Sequence, residues 1–121
     1  NAGHPGIRYY ANHLEPTHDG RWNVTFPHAR ENCGVLAGNC KCSFTEPYGS
    51  SIKVVVGDGR SDFCVAGQAD LVFAKGTLLT LCQTNGTAHF PYNDFFTVTR
   101  QLNAWLRSTS TRALNERAAV A

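Results

Sequence analysis

The stretch CGVLAGNCKC, residues 33–42, holds three of the five cysteines of this 121-residue chain. Cys64 and Cys82 follow it, which gives the spacing C-x6-C-x-C-x21-C-x17-C. Small secreted domains carry cysteines at this density because a disulfide restricts the unfolded chain and contributes about 2–4 kcal/mol of stability. The block therefore predicts a fold stapled by two disulfides, formed among Cys33, Cys40, Cys42, Cys64 and Cys82.

The odd number of cysteines leaves one thiol over after two bridges form, and the sequence does not select which one. That thiol could join two copies of the chain into a dimer. Cys40-Lys41-Cys42 also resembles half of a zinc site, but no second ligand pair follows it in the sequence. We therefore favour disulfides at these positions and expect neither a metal nor a cofactor.

Two glycosylation-type triplets flank the cysteine block. They begin at Asn23 and Asn85, and each ends in threonine. Together with the cysteines they predict a glycoprotein that is secreted and extracellular. The chain opens at Asn1 without a signal peptide, and we interpret this as a mature N-terminus.

The composition is that of one ordinary globular domain, with 42% hydrophobic and 17% charged residues. A net charge of +2 and scattered basic residues give no phosphate-tracking stripe, so we expect no nucleic acid partner. The apolar runs are too short to span a bilayer, so we expect no membrane association.

Alternating residues and turn signals predict mostly antiparallel strands. We expect strands at Ile7–Ala11, Arg21–Phe26, Cys40–Thr45 and Ile52–Val56, and a hairpin over Asp70–Gln83.

A helix is predicted near the C-terminus, capped by Asn93 or Asp94. Its apolar stripe comprises Phe95, Val98, Leu102, Trp105 and Leu106. The fold class is thus α+β: a small disulfide-stapled antiparallel sheet with one C-terminal amphipathic helix. We assign residues 1–108 to a single domain and residues 109–121 to a flexible tail.

Titratable residues give no clear catalytic set. His13 and His18 lie near Glu15 and Asp19, but in a loop where solvation is the simpler interpretation. A secreted ribonuclease could use a second group, which is spread along the chain: His28, Arg30, Glu31 and His89. No nucleophile motif accompanies either group, so the sequence favours a protein that is not an enzyme and has no catalytic residues.

One segment, Cys42–Asp58, runs through Pro47 and Gly49 into the strand Val54–Val56 and the turn Gly57-Asp58. It resembles the cysteine–strand–turn–strand segment of double-psi barrels such as expansins and cerato-platanins, although it lacks their CGxC pattern. The resemblance implies a cell-wall carbohydrate-binding protein. The barrel's catalytic aspartate would correspond to Asp58.

A broader pattern combines the 33–42 stretch with Phe63-Cys64-Val65-Ala66-Gly67 and Leu71–Gly76. It resembles the secreted-in-xylem avirulence effectors of plant-pathogenic fungi. The resemblance implies a virulence protein that binds another effector protein or a host plant protein and is delivered into plant tissue. We take this as the expected function, with the carbohydrate-binding protein and the small hydrolase as alternatives. Accessible aromatic and arginine side chains are the expected binding anchors, namely Tyr9, Tyr10, Arg60 and Tyr92.

Overall fold

The computed structural model describes the backbone of residues 3–120 and the side chains of residues 3–110. The described residues form five strands: β1 His13–Pro16, β2 Trp22–Thr25, β3 Val54–Gly57, β4 Leu71–Ala74 and β5 His89–Pro91. Four α-helices accompany them: α1 Cys42–Thr45, α2 Phe63–Ala66, α3 Gly76–Asn85 and α4 Phe95–Val120. Two 3₁₀ turns, Glu46–Tyr48 and Arg60–Asp62, precede β3 and α2.

The central sheet is parallel and has the strand order β3-β4-β5. Val54 pairs with Leu71 and Gly57 with Ala74, while Ala74 in turn pairs with Pro91. A parallel pair needs a crossover connection, which α2 and α3 supply in the two intervals. The carboxyl ends of all three strands therefore lie at one edge of the sheet.

Strand β4 is buried on both faces. Val72 and Ala74 pack with Ala66, Leu78 and Cys82 on the side of α2 and α3. Leu71 and Phe73, from the other face, pack with Tyr92 and with Val98 of α4. Helices thus cover the sheet on both sides, which is why β4 is a continuous apolar run instead of an alternating one.

The other sheet is an isolated antiparallel hairpin of β1 and β2, in which His13 pairs with Thr25 and Pro16 with Trp22. All eight of its residues are exposed. An aromatic cluster fixes the chain on either side of it: Tyr10 stacks on Phe44 at 4.0 Å between ring centroids, and His28 packs edge-on against both rings.

The C-terminal helix confirms the prediction of its start. Asp94 Oδ1 accepts a 2.7 Å hydrogen bond from the Thr97 backbone N–H and so caps the first turn. Val98 is buried, and Leu102 and Trp105 pack partly buried against the core. Helix α4 continues through the predicted tail to Val120. The side chains beyond residue 110 lie outside the described part, and the flexibility of residues 109–121 stays a prediction.

Other expectations are corrected. Residues 7–11 form no strand, and the first strand instead is β1, in the predicted loop. Cys42–Thr45 is helical, and Asp70–Gln83 is a strand followed by a helix instead of a hairpin. The strands at Trp22–Thr25 and Val54–Gly57 are confirmed in position.

The structure is α+β, but it does not match the expected disulfide-stapled antiparallel sheet. The core sheet is parallel, and all five cysteines are free thiols in the structure. In the part of the chain that the structure describes, no helix combines the length and apolar character needed to cross a membrane.

Candidate functional site

The turn that follows β3 is built around one buried carboxylate. Asp62 is 2% exposed, and its Oδ2 accepts hydrogen bonds from the backbone N–H groups of Asp58 at 3.1 Å and Gly59 at 3.2 Å. Position 57 must be glycine for this closure, because a Cβ there would lie 2.5 Å from Asp62 Cγ. The turn therefore has a fixed shape and leaves the Asp58 side chain exposed.

Lys41 neutralises the buried carboxylate from the other side. Its Nζ donates to Asp62 Oδ1, and Ser61 Oγ lies 3.3 Å from the same nitrogen. A buried carboxylate needs such a partner because its desolvation is otherwise uncompensated. An ammonium has three donors, so one donor of Lys41 remains available beyond these two contacts.

The turn after β4 packs directly on the turn after β3. Gly76 has φ of +56°, and a Cβ there would lie 2.7 Å from the Asp58 carbonyl oxygen. The Lys75 N–H donates to Gly57 O at 3.2 Å, and the Lys75 Nζ lies 5.3 Å from the centre of the Tyr92 ring. The carboxyl edge of the sheet thus carries an exposed carboxylate, Asp58, and two lysines.

A cleft of about 420 Å³ runs along β3, and neither Asp58 nor Lys75 is among its lining residues. Lys41 and Asp62 line it together with side chains of β3 and with Tyr48 and Ile52. A cavity of about 290 Å³ between Phe26, Leu36 and Arg30 shares no lining residue with it. Ligands of open parallel sheets bind outside the carboxyl ends of the strands, so the candidate site is the carboxyl edge together with the end of the first cleft that Lys41 and Asp62 line.

Four of the five cysteines form a second cluster close to this site. The sulfurs of Cys33, Cys40, Cys42 and Cys64 all lie within 4.8 Å of one another. Cys40 Sγ is 3.0 Å from Cys42 Sγ, which is 3.9 Å from Cys33 Sγ. A disulfide requires about 2.05 Å, so these contacts are not bridges. Cys82 stands apart in the core beside Leu78.

The thiols of this cluster differ in acidity. Burial opposes ionisation of Cys40, but hydrogen bonds from the Cys42 thiol and from Ser43 outweigh it and lower the pKa of Cys40 to about 7. The contact with Cys40, followed by burial, raises the pKa of Cys42 well above its usual value. Burial raises the pKa of Cys64 and of Cys82. One thiolate in the cluster is therefore stabilised at the expense of its neighbour.

The predicted binding anchors have different surroundings in the structure. Tyr9 is 55% exposed and Tyr10 stacks on Phe44, whereas Arg60 is exposed in the turn after β3. Tyr92 is buried in the core, contrary to its expected accessibility. Partner binding through Tyr9, Tyr10 and Arg60 stays a prediction. So does glycosylation at Asn23 in β2 and at Asn85, the last residue of α3.

Of the predicted histidine groups, the described contacts join only His13 and Glu15. His13 Nε2 lies 2.7 Å from Glu15 Oε1 in the exposed hairpin, and His28 belongs to the aromatic cluster. Arg30 pairs with Glu46, and His89 Nδ1 lies 2.6 Å from Thr87 O at the start of β5. Sequence reasoning missed Lys41 and Asp62 because 21 positions separate them, and it connected Asp58 only with the catalytic aspartate of a double-psi barrel.

Comparison with known proteins yields a consistent set of bacterial relatives. The chain is 36% identical over 78 residues to 2-hydroxy-3-keto-5-methylthiopentenyl-1-phosphate phosphatase of an Exiguobacterium species. This alignment covers 62% of this chain and 36% of that protein. The proteins of the same name from Geobacillus kaustophilus and Bacillus cereus are 40% identical over 78 residues and 34% identical over 86 residues. These alignments cover 62% and 69% of this chain, and 36% and 39% of the relatives. No family model matches the chain.

These relatives overturn the expected function. A non-enzymatic fungal effector is wrong, because the similar proteins are bacterial and are named as phosphatases. The chain spans little more than a third of the length of the relatives it matches. Secretion and the identity of a partner stay predictions.

Proposed function

We propose that this chain forms the phosphate-handling edge of a phosphatase that acts on a small phosphate monoester, of the kind that its relatives' name describes. One observation carries the proposal: the Lys41–Asp62 ion pair lines an open cleft at the carboxyl edge of a parallel sheet, and Asp62 also closes the turn that carries the exposed Asp58. The relatives supply the reaction class, and the edge supplies charges suited to a phosphate.

Lys41 has the clearest role. Two of its ammonium donors face Asp62 and Ser61, and the third is free to donate to a phosphate oxygen in the cleft. The buried Asp62 holds the ammonium in place, because that carboxylate is itself fixed by the Asp58 and Gly59 N–H groups. Lys41 is thus positioned before substrate binds, which lowers the cost of ordering it in the transition state.

Asp58 provides the exposed carboxylate. Its side chain stands free of the turn's own hydrogen bonds, whereas its backbone N–H and C=O are both used to shape the edge. Carboxylate oxygens suit a hard cation, so Asp58 is the residue that would hold Mg²⁺, which supplies charge neutralisation to phosphate oxygens when bound. Lys75, across the edge, adds a second positive charge.

A hydrolysis assay tests the proposal with two matched aspartates. The purified chain is given a phosphate monoester and Mg²⁺, and released inorganic phosphate is measured for wild type, Asp58→Asn and Asp70→Asn. Asp70 lies at the opposite, amino edge of the same sheet, where it accepts from the Lys53 N–H at 2.8 Å.

We expect Asp58→Asn to lose about 100-fold or more of the rate, comparable to the removal of one transition-state contact. Asp70→Asn should keep activity close to wild type. Circular dichroism confirms that both variants are folded. Hydrolysis that survives in Asp58→Asn, or no hydrolysis by the wild-type chain, would show the proposal to be wrong.

A further inference from the structure

The four-cysteine cluster, Cys33, Cys40, Cys42 and Cys64, has the dimensions of a metal site. A tetrahedral zinc ion with Zn–S bonds of about 2.3 Å places its sulfurs about 3.8 Å apart. The observed separations of 3.0 and 3.9 Å, with every pair within 4.8 Å, bracket that value. A disulfide would instead bring two of the sulfurs to about 2.05 Å from each other and move them away from the other two.

The chain supplies these ligands from three separate segments. Cys33 lies in the loop after β2, Cys40 and Cys42 flank the start of α1, and Cys64 lies on α2. Two side-chain hydrogen bonds fix the α1 segment locally: Ser43 Oγ donates to Cys40 O and Thr45 Oγ1 to Cys42 O, each at 2.8 Å. Cys33 and Cys40 are buried, so the cluster is largely shielded from solvent.

Four thiols of one site also account for the odd cysteine count. Cys82 is separate, fully buried among Val72, Ala74 and Leu78, where a small apolar side chain fits. No leftover thiol then needs a partner in a second chain.

We propose that Cys33, Cys40, Cys42 and Cys64 bind one structural Zn²⁺ ion as thiolates. Sulfur ligands select soft or borderline metals, and four protein ligands leave no open position for catalysis, so the role is structural. Binding replaces the thiol protons, which pass to solvent. The proposed zinc site does not rest on the proposed phosphatase function, since no cysteine takes part in that chemistry.

The location gives the ion a specific task. Cys40 and Cys42 flank Lys41, and Cys64 lies two residues after Asp62. A metal that joins these cysteines therefore clamps α1 to α2 and holds the Lys41–Asp62 ion pair closed. The metal substitutes for the core contacts that α1 lacks, because α1 has no buried residue.

Metal content and thiol reactivity test the site on the wild-type chain, without reliance on any variant. The chain is produced with zinc in the medium, purified under reducing conditions and desalted. Its metals are measured by plasma mass spectrometry, and its thiols are alkylated in native buffer before and after addition of a zinc chelator. We expect one zinc per chain, with four cysteines protected until the chelator is added.

Single substitutions then locate the ligands. Cys42→Ser and Cys64→Ser should lose the zinc, while Cys82→Ala, the matched buried cysteine outside the cluster, should retain it. A metal-free wild-type chain, an iron–sulfur chromophore, or an intact mass lower by two hydrogens for each bridge would overturn the proposal. Zinc retained by both serine variants would overturn it as well.

Discussion

The parallel sheet β3-β4-β5 and the hairpin β1-β2 have similar strand lengths but opposite surroundings. All four residues of β4 are buried beneath helices on both faces, while all eight hairpin residues are exposed. A two-stranded hairpin without a covered face is marginal in water, whereas burial stabilises the sheet. Burial of the sheet faces, more than hydrogen bonding between strands, therefore makes the parallel sheet the more stable region. The candidate site lies on this sheet.

Truncation of one large aromatic residue in each region tests whether the buried sheet contributes more to stability than the exposed hairpin. Phe73 in β4 has no exposed surface, so Phe73→Ala should lower the free energy of unfolding by about 3–5 kcal/mol. Trp22 in β2 is 64% exposed, so Trp22→Ala should change it by less than about 0.5 kcal/mol. Urea unfolding followed by circular dichroism measures both. Equal losses would contradict the comparison.

Substitutions at two glycines test whether the turn after β3 is closed around the buried Asp62 carboxylate. Gly57→Ala places a Cβ against the buried Asp62 carboxylate and should cost about 2 kcal/mol or more. Gly59→Ala, two residues on, meets nothing within 4 Å and has φ of −138°, so it should be neutral within about 0.5 kcal/mol. Thermal unfolding of the two variants checks this. A Gly57 variant as stable as the Gly59 variant would mean that the turn is not closed around Asp62.

The smallest expected effect concerns the helix that covers one face of the sheet. The hydrogen bond from the Thr97 backbone N–H lowers the pKa of Asp94 below its usual value. The cap therefore stabilises the fold above about pH 4, and this stabilisation is lost as the pH falls through the lowered pKa. The Tm of wild type relative to Asp94→Asn, which caps without titrating, should decrease below about pH 4. A difference that is constant with pH would show that the cap does not titrate.

Local signals explain what the sequence could predict. The Asp94 cap and the β-branched run of β3 are encoded within a few residues, and these predictions are confirmed. The predicted apolar stripe of α4 is confirmed at Val98, Leu102 and Trp105, whereas Phe95 and Leu106 are exposed. Asp70–Gln83 was predicted to be a hairpin because Lys75-Gly76 resembles a turn. Gly76 instead begins α3, and its glycine is needed to pack against Asp58 O. That requirement comes from a tertiary contact that no local pattern reveals.

The candidate site depends on pairings distant in sequence. Lys41 and Asp62 meet only after α1 and α2 pack together. Cys40 and Cys42 were recognised as half of a zinc site, but the other two sulfurs come from Cys33 and Cys64, on opposite sides in the sequence. A regular two-pair motif is absent, so spacing alone favoured disulfides. The functional residues therefore become visible only when the parallel fold is known.

The central claim is that the carboxyl edge of β3 and β4 binds phosphate. Titration of inorganic phosphate and Mg²⁺ into the isotopically labelled chain, followed by backbone amide NMR, tests it most directly. We expect the largest shifts at residues 57–59 and 75–77, and weaker binding in Asp58→Asn but not in Asp70→Asn. Shifts centred on Asp70 at the opposite edge, or no shifts at millimolar phosphate, would contradict the claim.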